Sequence, residues 1–177
     1  MITYQQASNE GVLDQILVLQ AKNLYSNLTD EDKRSEGFVT VSHDFDLLKA
    51  MNEVTPHTIA LLEDKVIGYA LSMHPQFAAS INILKPMFRQ IEAILGNTTN
   101  FIVMGQICVA EPYRGKGVFR GLYQHMKFFL GNSFDHIITE VDVRNTRSMN
   151  AHIAVGFTEL CRYEAADKTW SLIQLKL

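Results

Sequence analysis

The stretch EPYRGKGVFRGLYQHM, residues 111–126, sets Arg114, Gly115, Lys116 and Gly117 directly before an amphipathic run. Glycine weakens a helix start unless the backbone itself is wanted there. Arg114, Lys116 and Arg120 add to the positive end of the helix dipole instead of opposing it. Both features make chemical sense if an anion sits on that helix end, held by backbone N–H groups. A second chemical feature lies in HIITEVDV, residues 136–143, where Glu140 and Asp142 interrupt an otherwise largely apolar pattern. The cysteines, Cys108 and Cys161, form no CxxC pair or zinc-type spacing, and His43, His57 and His74 lack a ligand spacing, so no metal site is expected.

These residues need elements to position them. FIVMGQICV, residues 101–109, is almost continuously apolar and suits a strand buried on both faces. After it, Val118, Phe119, Leu122, Tyr123, Met126, Phe129 and Leu130 recur at helical spacing, and Gly131 ends the pattern. HIITEVDV follows as a strand. Strand, helix, strand makes a right-handed crossover between parallel strands. NTRSMNAHIAV, residues 145–155, reads as a helix capped by Asn145 and closed by Gly156, with two strands after it. Upstream, ITYQQA is a strand and Ser8 or Asn9 caps a helix. Asp44 caps another helix, and residues 57–73 form a hairpin. Residues 75–100 are long for a hairpin connection and too apolar for a free loop. They predict a helix begun or bent by Pro86 that borders a substrate cleft or makes a homodimer contact. The expected fold is α/β (α+β): a mixed, mostly antiparallel central sheet with one parallel crossover and helices on both faces.

Three devices place phosphate on a glycine-rich helix start. The nucleoside-triphosphate loop needs GxxxxGK[ST], and here Val118 follows Gly117. The dinucleotide fingerprint GxGxxG has Arg120 at its third glycine and wants a repeated parallel pattern that is absent. The third device fits. ICVAEPYRGKGVF resembles the coenzyme A pyrophosphate loop of the GNAT superfamily of N-acetyltransferases, whose signature is Gln/Arg-x-x-Gly-x-Gly/Ala after a strand. Arg114 and Gly117 match, and Phe119 stands where glycine or alanine is usual. VRNTRSMNAHIAVGF resembles a later helix of the family, with Asn145 and Gly156-Phe157 in register. The two blocks together cover about residues 101–160.

The resemblance implies acetyl-CoA as co-substrate, bound in a V-shaped gap between the fourth and fifth strands. The main chain of Ile107, Cys108 and Val109 would bond the pantetheine arm. Gly115, Lys116, Gly117, Val118, Phe119 and Arg120, with Arg114, would hold the pyrophosphate, and Asn145 would sit near the thiol end. A primary amine, on a small molecule or a peptide, would enter from the opposite side and attack directly within a ternary complex. An ammonium with a pKa of about 10.4 must first lose a proton. Some family members carry a glutamate five residues before the asparagine as base, which points to Glu140, with Asp142 the weaker rival. The family often has tyrosine seven residues after the asparagine as the acid toward the thiolate. His152 stands there and keeps an N–H donor, the other reading being a histidine packed between helix and sheet. Cys108 reads as packing. The rival class is a non-catalytic CoA-binding sensor or partner module.

The whole chain sets outer bounds. Its 177 residues are expected to form one domain, residues 1–177, with 47% hydrophobic and 20% charged residues. A net charge of −3 argues against a broad nucleic-acid surface. Asp30, Glu31, Glu36, Asp44 and Asp46 near the expected acceptor side hint at a cationic substrate. The N-terminal residues lack a signal-peptide pattern and no apolar run reaches membrane-spanning length. With no disulfide framework, the expectation is a reduced, cytoplasmic protein.

Overall fold

The computed structural model describes residues 1–24, 26, 39, 41–96 and 98–177. In chain order its regular elements are β1 (Ile2–Gln6), α1 (Glu10–Asn23), α2 (Phe45–Val54), β2 (Thr58–Leu62), β3 (Lys65–Met73) and α3 (Lys85–Leu95). Then come β4 (Phe101–Val109), α4 (Val118–Leu130), β5 (His136–Asp142), α5 (Thr146–Ala154), β6 (Thr158–Ala165) and β7 (Lys168–Lys176). The polar stretch from residue 25 to residue 37 lies outside the described residues, apart from Ser26, and so do Asp30, Glu31 and Glu36.

The helix starts follow from capping side chains. Asn9 accepts from the Val12 N–H at 3.0 Å, Asp44 from Leu47 at 2.7 Å and Asn145 from Ser148 at 3.2 Å. Each satisfies one of the donors that a helix start leaves without a carbonyl. Pro86 sits in the first turn of α3, where its missing N–H costs nothing.

The strands form one sheet in the order β1-β2-β3-β4-β5-β7-β6. Every neighbour pair is antiparallel except β4 with β5. This is the mixed, mostly antiparallel sheet expected, with α4 as the crossover. On one face α1, α2 and α3 bury Ile16, Leu48, Met51, Met87 and Ile91 against Leu71, Val103, Ile138 and Leu172. On the other, α4 buries Leu122, Tyr123 and Met126 against Ile67, Ile102, Ile137 and Ile173. The segment 75–100 therefore contributes core on the α1 face. Ile83 and Ile94 remain exposed there.

Two departures from regular pairing shape the middle of the sheet. β4 and β5 pair only at Phe101–His136, Ile102–Ile137 and Val103–Ile138. Beyond Val103 the strands part while β5 stays paired with β7 through Asp142. The β3–β4 register also shifts: Ser72 faces Met104 and Leu71 faces Gln106, so Gly105 is an extra residue in β4. Such a bulge bends its strand and resets the alternation of side chains. Val103 lies on the α1 face and Met104 on the α4 face. After the bulge, Gln106 meets Gln20 of α1, and Cys108 joins the α1-face core. Bulge and lost pairing together open a V between β4 and β5.

Candidate active site in the gap between β4 and β5

A cavity of about 390 Å³ lies at the mouth of the V. The end of β4 forms one wall, through Ile107, Cys108 and Val109. The loop through Arg114, Gly115 and Gly117 and the first turn of α4 form its floor, and α5 closes it with Asn145, Arg147, Ser148 and Ala151. Gly117 is the cap of α4 with φ of 81°, and no side chain caps that helix start. The first N–H groups of α4 therefore have no intrahelical acceptor and border the cavity. Gly115 has φ of 69°, and a Cβ added at either glycine would meet no atom within 4 Å. These glycines serve the left-handed backbone of the loop rather than close packing.

The edge of β4 supplies further backbone groups. The Ala110 N–H donates to the Ile67 carbonyl at 2.8 Å, continuing the antiparallel ladder one residue past β4. Bonded pairs alternate along such a ladder, so Cys108 exchanges its bonds with Tyr69. The backbone groups of Ile107 and Val109 then point away from β3, toward the gap. In agreement, the Val109 carbonyl accepts from Arg114 Nε at 3.0 Å. Arg114 also donates through Nη2 to Asn23 Oδ1 at 2.5 Å, tying the loop to the end of α1.

A smaller cavity of about 80 Å³ continues into the V, and shares Val39, Ile107, Asn145 and Ser148 with the larger one. Glu140 lies on its β5 wall. Burial pushes the Glu140 carboxyl up to about 7, against the pull of a hydrogen bond donated by the Tyr163 hydroxyl to Oε2. Asp142 behaves in the opposite way. Burial alone would raise it, but hydrogen bonds from the Arg144 side chain (2.8 and 3.1 Å) and backbone (3.0 Å), with Lys168 at 3.8 Å, hold it below the usual carboxylate range.

His152 borders the same small cavity, from the other face of the sheet. Its Nδ1 lies 2.7 Å from the Ser148 carbonyl, which can only accept, so Nδ1 carries the hydrogen. Its Nε2 then accepts from the Tyr123 hydroxyl at 2.8 Å. Phe119, Tyr123 and Phe157 pack edge-on to the imidazole at centroid distances of 5.1, 5.6 and 5.1 Å. Burial lowers its pKa to about 4, so the ring is neutral near pH 7, with both nitrogens engaged.

A buried polar network stands on the α1 side of the gap. Gln106 Oε1 accepts from Tyr69 Oη at 2.5 Å and from Gln20 Nε2 at 2.8 Å, while Gln106 Nε2 donates to the Val41 carbonyl at 2.7 Å. The His43 N–H donates to Gln20 Oε1 at 2.9 Å. These bonds hold residues 41–43 beside the cleft.

The sequence model of the acetyltransferase (GNAT) family matches residues 19–157. The chain belongs to that family. No curated protein sequence matches it. Among solved structures it is similar to the NatC complex bound to Gag peptide and CoA, at 17% identity and a TM-score of 0.68, covering 99% of this chain and 98% of that one. It is also similar to Arabidopsis thaliana Naa50 in complex with the bisubstrate analogue CoA-Ac-MVNAL (12%, TM-score 0.67, 99% of each chain). A third is yncA of Salmonella typhimurium with its cofactor acetyl-CoA (15%, TM-score 0.65, 99% and 94%). At these identities the likeness concerns the fold. Acetyl transfer is the general chemistry of the GNAT family and acetyl-CoA its co-substrate. The uncapped helix start, the open glycine loop and the free edge of β4 suit the diphosphate and amide groups of that molecule.

Of the residues the sequence suggested for cofactor binding, Ile107, Cys108, Val109, Arg114, Gly115, Gly117, Val118, Phe119, Arg120 and Asn145 line the larger cavity. Lys116 does not, and its ammonium sits over the Tyr113 ring, 5.9 Å from the centroid. The Phe119 side chain turns into the aromatic cluster, which leaves its backbone to the cavity. Cys108 is buried and its thiol is pushed up to about 12 by burial, which suits packing rather than nucleophilic chemistry. The sequence reading missed Asn23, Tyr113, Arg147, Ser148 and Ala151 in the cavity wall, and Tyr163 beside Glu140. Ser148, Ala151 and Ala154 recur every three residues as small side chains on the face of α5 that lines the cavity, a pattern legible in the sequence. Nothing local marks Tyr163.

Proposed function

We propose that this protein is an N-acetyltransferase that moves the acetyl group of acetyl-CoA to a primary amine by direct attack in a ternary complex. The reading rests on Glu140. Its carboxyl is held at about 7 by burial in the wall of the gap adjoining the cofactor cavity. A general base works best with a pKa near the operating pH. Asp142, tied to Arg144, is too weak a base and too fully engaged to compete.

Bound acetyl-CoA supplies the activated acyl carbon. Glu140 takes the proton of the incoming ammonium, directly or through one water. The Val109 N–H, pointing at the gap, stabilises charge on the carbonyl oxygen. We assign His152 no acid role, in contrast to the expectation from its position, because neither ring nitrogen is free to donate into the gap. Water protonates the thiolate, whose conjugate acid has a pKa of about 8.5. The acceptor enters from the α1 face. Peptide N-termini are the first acceptors to try, since two of the similar structures hold peptides or a peptide-derived analogue. We place the reaction in the cytoplasm. Among the described residues, no helix is long and apolar enough to cross a membrane.

The test is thiol release from acetyl-CoA with a panel of primary amines and short peptides. Amine-dependent release that is lost in Glu140→Gln supports the reading. CoA binding with no release above background for any amine would make the protein a sensor or partner module.

A further inference from the structure

We propose that Tyr163 is a positioning residue for the base: its hydroxyl holds one carboxylate oxygen of Glu140 and leaves the other to meet the amine. This rests on Glu140 being the base. Tyr163 lies on β6 and Glu140 on β5, with β7 between them. Glu140 faces Leu172 of β7 and Tyr163 faces Trp170, two residues away. Side chains two apart share a face, so the tyrosine reaches diagonally over β7 on the α1 side of the sheet. Its ring packs against the α1-face core, which fixes where the hydroxyl ends.

The contact runs from Tyr163 Oη to Glu140 Oε2. Among the described residues it is the only side chain hydrogen-bonded to Glu140, and no cation pairs with that carboxylate. Asp142 is the useful contrast. Two residues along the same strand, it is gripped by a bidentate guanidinium and a backbone N–H. A cation beside Glu140 would hold the carboxylate ionised and make it a poor base. A single neutral phenol does less. It donates one hydrogen bond to Oε2, stabilises the ionised form moderately and leaves Oε1 free to accept a proton. With Oε2 tethered, Oε1 has one orientation toward the incoming amine rather than a rotamer ensemble.

Two measurements test this. The first is the titration of the Glu140 side-chain carboxyl by 13C NMR on glutamate-labelled protein, assigned by its loss in Glu140→Gln. Tyr163→Phe keeps the ring and removes the donor. The midpoint should rise by about one pH unit, because a hydrogen bond to a charged group is lost. The second is the pH profile of kcat/KM with the most active amine of the panel. Its ascending limb should move up by the same amount, with kcat at pH 7 falling about tenfold or more and acetyl-CoA affinity unchanged. Should Tyr163→Phe fold poorly by circular dichroism, 3-fluorotyrosine at position 163 replaces it. As a stronger donor, it should shift the midpoint down instead. An unmoved midpoint in the folded variant overturns the role of Tyr163, even where Glu140→Gln is inactive and the base assignment stands. Full activity in Glu140→Gln overturns the base assignment itself, and the positioning role with it.

Discussion

At the scale of single residues, two neighbouring carboxylates on one strand have been given opposite properties by their surroundings. Asp142 has three donors and a second cation, and Glu140 has one phenol and a largely buried position. Glu140→Gln keeps size and hydrogen bonding but removes the basic oxygen. We expect kcat to fall by about 10²-fold at pH 7 with CoA affinity near wild type, read by steady-state kinetics and calorimetry. The same substitution should stabilise the fold at high pH. A carboxyl raised from 4.5 to about 7 favours folding fully only below its unfolded value, and that contribution is lost as pH rises through about 7. Glu140→Gln should therefore gain on the order of 2–3 kcal/mol at pH 8 and almost nothing at pH 4, measured by urea unfolding at both pH values. His152→Ala should do the reverse in kind. It removes a buried ring from an aromatic cluster and orphans the Tyr123 hydroxyl. We expect a loss of about 2–4 kcal/mol in stability while kcat changes by less than about threefold. A hundredfold loss of kcat in a folded His152→Ala protein would restore it as the acid.

At the scale of elements, the site depends on how α4 begins and on what α5 presents. Gly117 adopts a positive φ that no proline can reach, and its N–H belongs to the loop. Gly117→Pro should abolish measurable CoA binding in calorimetric titration, with the far-UV circular dichroism unchanged. Lys116→Ala should alter affinity by less than about threefold, because Lys116 leans on Tyr113 outside the cavity. Equal losses in the two variants would mean that charge, not backbone, binds the phosphates. On α5 the small face matters in the same way. Ala151→Leu sets two extra branches into a cavity of about 390 Å³ and should weaken CoA at least about tenfold without lowering Tm. The bulge at Gly105 belongs to this scale too. Were Gly105 paired regularly instead of bulged, Gln106 would turn from the α1 network toward α4, burying an amide against an apolar core.

For the whole molecule, stability should fall on the acid side of neutrality. His57 and His152 are each pushed down to about 4 by burial, and His43 is lowered by burial too. Groups depressed in this way favour the fold fully above their unfolded value of about 6.5 and lose that contribution as pH falls through their folded values, about 4 for His57 and His152. The unfolding midpoint in urea should therefore drop between pH 6.5 and 4, where the loss from the rings outweighs the opposing change of Glu140, and should level off above about pH 7, once Glu140 is ionised. A flat profile across pH 4–6.5 would mean that these rings are hydrated in solution. Much of this architecture was legible from sequence, because the deciding interactions are local. Periodicity placed the helices and strands, and Asn9, Asp44 and Asn145 marked helix starts by capping groups three residues away. The glycines at 115 and 117 announced an uncapped helix end, and one helix between two apolar strands required a parallel crossover. Pairings between distant strands, and burial, were left to the tertiary structure. Only the order β5-β7-β6 brings Tyr163 to Glu140, and burial of Glu140, with the Arg144 and Lys168 charges beside Asp142, separates the two pKa values. Nδ1 of His152 is closed within α5 by the Ser148 carbonyl, and only the packing of α5 on α4 closes Nε2 with the Tyr123 hydroxyl. A side chain's type and spacing state what chemistry it can do, and desolvation and its partners across the sheet decide whether it does it.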